Sequence, residues 1–229
     1  MPATRVRQAA IGLQKIREKN RLAKAHYPAF RDFFQGQRDQ VLKQLDALAK
    51  YFPDPEVKTN KTAAEIRAEL LKEFNGIWDD VEKGSTKDLQ ELVTAAEMEG
   101  MEAGGKFGAD TINPGGITPT SKAFSLENPR AVAFFKSAGG STKYIKNIQD
   151  TTRDRLQTII TDALETGQSY SKTAKIISDA FDGPISRDRA QTIAVYETAQ
   201  AYENGNREFA ASIADEGVNM LKAWQTSED

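Results

Sequence analysis

Apolar residues recur at spacings of three and four along most of this chain, the period of a helix with one buried face. Ala9, Leu13, Ile16, Ala23, Tyr27, Phe30 and Phe34 begin the pattern, and Val41, Leu45, Leu48 and Phe52 continue it. They predict a long amphipathic helical stretch to about Tyr51. Pro28 lacks an amide hydrogen and crowds the preceding turn, so it predicts a kink or a restart there. Phe52-Pro53-Asp54-Pro55 predicts a stop. Thr62 and Glu65 have the spacing of a capping box and open a helix on Ile66, Leu70, Phe74, Ile77, Trp78 and Val81. Gly84 predicts the end of that helix. Ser85 predicts the cap of the next, on Leu89, Leu92, Val93, Ala96 and Met98–Met101, with Gly104-Gly105 as its close.

Residues 105–128 change in kind. Asn113-Pro114-Gly115-Gly116 and Thr118-Pro119-Thr120 are turn chemistry, and a stretch of this length reads as a linker or a functional loop. Asn128-Pro129 opens a short helix ending at Gly139-Gly140. A longer helix follows from about Thr142 to Thr166, carrying Ile145, Ile148, Leu156, Ile159, Ile160 and Leu164. Gly167 stops it, Ser169 starts another, and Gly183-Pro184 stops that one. Ser186 caps a last long helix to about Ala214, and Val218–Thr226 leans toward strand. The fold class expected is mainly α: an elongated multi-helix protein of long amphipathic helices and helix hairpins, with at most a small C-terminal β element. Its parts are a basic helical arm (1–52) kinked near Pro28, a helical hairpin (60–105), a Gly/Pro-rich linker (106–127) and a helical domain (128–229) ending in a short strand.

Composition sharpens this picture. Leu, Ile, Val and Phe together supply 47 of 229 residues while alanine supplies 30, so the core is lean and partners would help to cover it. With no cysteine, disulfides, thiolate metal sites and cysteine nucleophiles are excluded. One histidine, His26, excludes a His-rich metal site. No cofactor and no metal are expected. The first residues are basic without a continuous apolar core, and no apolar run approaches ~20 residues. The expectation is a soluble chain made in a cytoplasm, with no membrane contact.

The net charge of −2 conceals an asymmetry. Residues 1–50 hold 11 basic and four acidic side chains, a surplus of +7, and the rest of the chain carries −9. Arg5, Arg7, Lys15, Arg17, Lys19, Arg21 and Lys24 all precede residue 25. They are candidate contacts for nucleic acid or an acidic partner, set against an ordinary solvated helix face.

Other candidates carry weaker signals. Helix, Gly167 turn and Ser169-led helix resemble a helix-turn-helix, but Ser169, Tyr170, Lys172 and Lys175, in an acidic half of the chain, fit an ordinary antiparallel hairpin better. Positions 190, 194, 197, 201, 205 and 208 share one helix face and are Ala, Ala, Glu, Ala, Gly and Glu. A carboxylate in such a stripe needs a donor, and a backbone cap, Tyr202 or Arg187 could supply it. As an acid/base residue Glu197 would need a second positioned group, and no carboxylate partner is evident. Asp79-Asp80-Glu82 point apart on a helix, so they read as solvated surface. The Gly115-Gly116 pair lacks the strand–helix frame and motif of a phosphate loop.

Three features in order carry a resemblance. Asn128-Pro129 opens a helix, and a long helix then ends in Leu164-Glu-x-Gly167-x-Ser169 with Ala174 and Ile177 following. The third is Arg189-Ala190-x-x-Ile193-Ala194-x-x-Glu197-Thr198-x-x-Ala201-Tyr202-x-x-Gly205. With Lys222-Ala-Trp224 and Ser227-Glu-Asp229 behind it, the pattern resembles the tailed-phage head morphogenesis family, the minor head proteins similar to the F protein of phage Mu. The resemblance implies a structural virion component, not an enzyme. It implies portal protein or major capsid protein as partner, a place at the portal vertex or in the head interior, and a role in head assembly, DNA packaging or ejection. Packaged DNA is a further expected contact of the basic arm. Gly167, Ser169, Arg189, Glu197, Thr198, Tyr202, Gly205 and Trp224 are then structural motif residues. Two departures stand out: Tyr196 occupies a position where many members have Arg, and members commonly continue beyond the Trp strand into a polar segment. A DNA-binding regulator using the Gly167 turn and an enzyme using Glu197 remain the alternatives.

Overall fold

The computed structural model describes residues 2–52, 61–112 and 142–215. Helix α1 spans Pro2–Gln44 and tightens into a 3-10 stretch, Leu45–Tyr51. Helix α2 spans Ala63–Ile112, α3 Thr142–Glu165 and α4 Tyr170–Ala180. A π-helical stretch, Phe181–Asp188, leads directly into α5, Arg189–Asp215. The protein is mainly α, and no strand occurs among the described residues. The expected linker residues 113–127, the short helix after Asn128-Pro129 and the strand ending in Trp224 lie outside them.

Several punctuation signals act as expected. The Thr62 amide donates to the Glu65 carboxylate at 2.7 Å and the Glu65 amide donates to Thr62 Oγ1 at 3.3 Å, a reciprocal capping box. Gly167 has φ +63°, which a residue with a side chain adopts only at a cost. Around it the Gln168 amide donates to the Ala163 carbonyl and the Gly167 amide to the Leu164 carbonyl. That pairing satisfies the last carbonyls of α3. Ser169 then caps α4, accepting from the Lys172 amide.

Other signals are overridden. The hairpin expected over 60–105 is instead one 50-residue helix, because α2 runs through Gly84-Ser85 and Gly104-Gly105. Residues 106–112, expected in the linker, are its last two turns. Ser85 is not a cap. It is buried, donates to the Val81 carbonyl at 2.7 Å and accepts from Gln37. Helix α1 continues through Pro28 without a restart, since the buried Phe30 and Phe34 beside it offset one missing hydrogen bond. Gly183-Pro184 does not end a helix either. The wider π turn spares the proline ring its clash with the carbonyl four residues back, and Ser186, expected as a cap, sits buried inside that turn.

The chain divides into two compact units, to both of which α1, α2 and α5 contribute. The first comprises Met1–Ala23, Ala95–Ala138 and Val195–Asp229, and the second Lys24–Thr94 and Gly139–Ala194. In the second, Phe30, Phe34, Leu45, Leu70, Phe74, Trp78, Leu89, Leu156, Ile160 and Phe181 are fully or almost fully buried. A buried polar layer crosses this core: Gln37 Nε2 donates to Ser85 Oγ at 3.0 Å and to Gln149 Oε1 at 2.8 Å. Arg189 also belongs here. Its guanidinium donates to the Ile148 carbonyl at 2.7 Å and lies over the Phe34 ring.

Candidate functional site

The first unit packs the end of α2 against α5 through glycine. Gly100, Gly104 and Gly108 recur every four residues on α2 and so lie on one stripe. A Cβ added at Gly100 would stand 2.8 Å from the Thr198 carbonyl oxygen and 3.0 Å from the Ala201 side chain. At Gly104 it would run into the Tyr202 carbonyl, and at Gly205 into that of Met101. At Gly108 it would stand 2.7 Å from the Phe209 ring. The contacts advance together along both helices, so the two run parallel. Gly104-Gly105 therefore does not end a helix. It brings two helix backbones into contact.

Within this contact lie two carboxyls. Glu197 is 3% exposed and Glu97 8% exposed. Glu97 stands three residues before Gly100, and Glu197 is next to Thr198, which touches Gly100. Neither forms an ion pair with any described residue. Burial pushes the Glu97 carboxyl up to about 7. Burial, and then the charge of Glu97, pushes Glu197 up to about 7. The donor expected for Glu197 is thus not found in Tyr202, whose hydroxyl is buried with no hydrogen-bond partner. A carboxyl that keeps its proton needs no cation beside it. The arrangement can hold protons near neutrality at a place with little access to solvent.

Glu97 is the residue that sequence reasoning missed. The available signal was Glu97-x-x-Gly100-x-x-x-Gly104 set beside Glu197-x-x-x-Ala201-x-x-x-Gly205, two carboxylates each heading a small-residue stripe. Reading the glycines as stop signals concealed it. The stripe on α5 is otherwise as expected: Ala190, Ala194, Glu197, Thr198, Ala201 and Tyr202 are all buried, each within its own unit.

The basic arm is partly neutralised within this unit. Lys15 donates to Glu203 at 2.6 Å and Lys19 pairs with the same carboxylate. Burial works against the charge of Glu203, but the two lysines hold it below the usual carboxylate range. Arg21 grips Glu18 at 2.8 Å, and that hydrogen bond lowers Glu18. Arg17 is exposed, as is Lys24 in the second unit. The side chains of Arg5 and Arg7, and all of Trp224, lie outside the described residues. A cleft of about 370 Å³ opens between α1 and α2, lined by Glu18, Arg21, Glu99, Lys106 and Phe107 among others, and not by the carboxyl pair.

In the second unit, Tyr170 follows the Gly167 turn and is half-buried. Its hydroxyl donates to Asp46 at 2.5 Å and its ring lies against Phe52. Lys172 and Lys175 are exposed on α4. No group of three or more potential metal-ligating side chains occurs among the described residues. No described helix is long and apolar enough to cross a membrane. No family model, curated protein or solved structure matches the chain.

Proposed function

We propose that this chain is a structural component of a tailed-phage head. In this reading it docks at the portal vertex or the inner capsid wall and assists head assembly, DNA packaging or ejection. One observation carries the reading: the block that bears the resemblance is spent on packing. Glu197, Thr198, Ala201 and Tyr202 are buried, and Gly205 lies against the Met101 backbone. Side chains committed to helix contact build a scaffold. An enzyme using Glu197 would need substrate to reach a side chain that is 3% exposed.

The partners proposed are portal protein or major capsid protein. Packaged DNA is reached through the basic arm, where Arg17 and Lys24 are exposed and Lys15, Lys19 and Arg21 are already engaged with carboxylates. Such DNA binding is nonspecific and weakens steeply with salt. The test is to look for the chain in purified particles and in portal complexes isolated by affinity. Presence in either supports the reading. Absence from both contradicts it.

A further inference from the structure

Glu97 and Glu197 enter one layer of an interface that has no room to adjust. Beyond that layer, Gly104 meets the Tyr202 backbone and Gly205 the Met101 backbone. With Glu97 8% and Glu197 3% exposed, full hydration of the two carboxyls requires α2 and α5 to separate. We propose that this interface is a proton-dependent clasp, closed while the Glu97–Glu197 layer is protonated and parted once both carboxylates are charged.

The surrounding charges leave the layer to itself. From α1, Lys15 and Lys19 are both taken up by Glu203, and Glu18 and Arg21 are paired with each other. On α2, Glu99 lies 3.9 Å from Arg21. On α5, the Tyr202 phenol is raised mainly by burial and holds its proton at every pH of interest. Among these groups only Glu97 acts on Glu197, and it acts by repulsion. Two like charges in a dry contact disfavour the closed state, because burying a charge without a partner is expensive.

The sign follows from proton counting. Each carboxyl is raised from 4.5 to about 7 in the closed form, so the closed form binds more protons than the opened one. Opening therefore becomes easier as pH rises through that window, and the effect levels off above it.

Hydrogen exchange of the full chain, followed by mass spectrometry and corrected for intrinsic rates, reads the opening directly. Amides of 95–112 and 195–215 should lose protection by about tenfold or more per pH unit between pH 5 and 7. In the double variant Glu97→Gln with Glu197→Gln, protection should stay within about twofold over the same range, since both amides are neutral throughout. A flat wild-type profile, or the same slope in the double variant, overturns the proposal. Should the double variant not fold, the infrared carboxyl stretch of the wild type decides. A protonated band that persists at pH 6 and weakens in either single Gln variant supports the clasp, and its absence at pH 6 overturns it.

Discussion

The two units of this chain are packed by different chemistry although three helices contribute to both. The second unit fills its interior with large side chains: five phenylalanines, Trp78 and a set of leucines and isoleucines that exclude water by area. Among the described residues the first unit has fewer of these, with Leu22, Met101, Tyr202, Phe209 and Ile213 as its large buried residues. It gains contact instead by removing side chains, so that α2 and α5 approach along glycine and alanine and backbone dispersion replaces apolar area. The glycines that bring backbones together, Gly100, Gly104 and Gly205, all lie in the first unit, and there the chain also buries two carboxyls.

This contrast is open to breaking. The largest effect should come from emptying the second unit. Phe74→Ala removes a fully buried ring and should cost about 3–5 kcal/mol by chemical denaturation followed by circular dichroism. The first unit should respond to the opposite change. Gly104→Ala drives a methyl into the Tyr202 carbonyl and should cost about 2–3 kcal/mol, with loss of amide protection confined to 95–112 and 195–215. Replacing Glu197 by Gln should stabilise the first unit at pH 8 by about 2 kcal/mol and do little at pH 4.5, because the raised carboxyl loses its stabilising proton as pH climbs toward 7. The smallest effect has the reverse sign. Gly76→Ala, on an open face of the second unit with nothing near its Cβ position, should stabilise by about 0.5–1 kcal/mol through helix propensity alone. If Gly104→Ala and Gly76→Ala behaved alike, glycine would have no packing role in the first unit.

The same contrast explains what the sequence made legible. Local devices are complete within a few residues, so Thr62 with Glu65 and Gly167 with Ser169 stand where their spacing places them. The buried face of α5 follows from one helical period. Gly84, Gly104-Gly105 and Gly183-Pro184 mislead because a glycine ends a helix only when nothing holds the next turn. Gly104 is held by Tyr202, which stands some hundred residues further along. The carboxyl pair is hidden for the same reason, since no local pattern joins Glu97 to Glu197. Ser85 and Ser186 have good capping chemistry, but burial inside continuous helices gives them other surroundings.

The central claim is that Glu97 and Glu197 share one buried layer. A carbon-13 NMR titration of the glutamate side-chain carboxyls tests it most directly, with the two resonances assigned by Glu97→Gln and Glu197→Gln. Both should titrate near 7 in the wild type, well above the other glutamates, and Glu97→Gln should lower the Glu197 midpoint by removing the neighbouring charge. Titration of either carboxyl near 4.5, or a Glu197 midpoint indifferent to Glu97→Gln, would contradict the account.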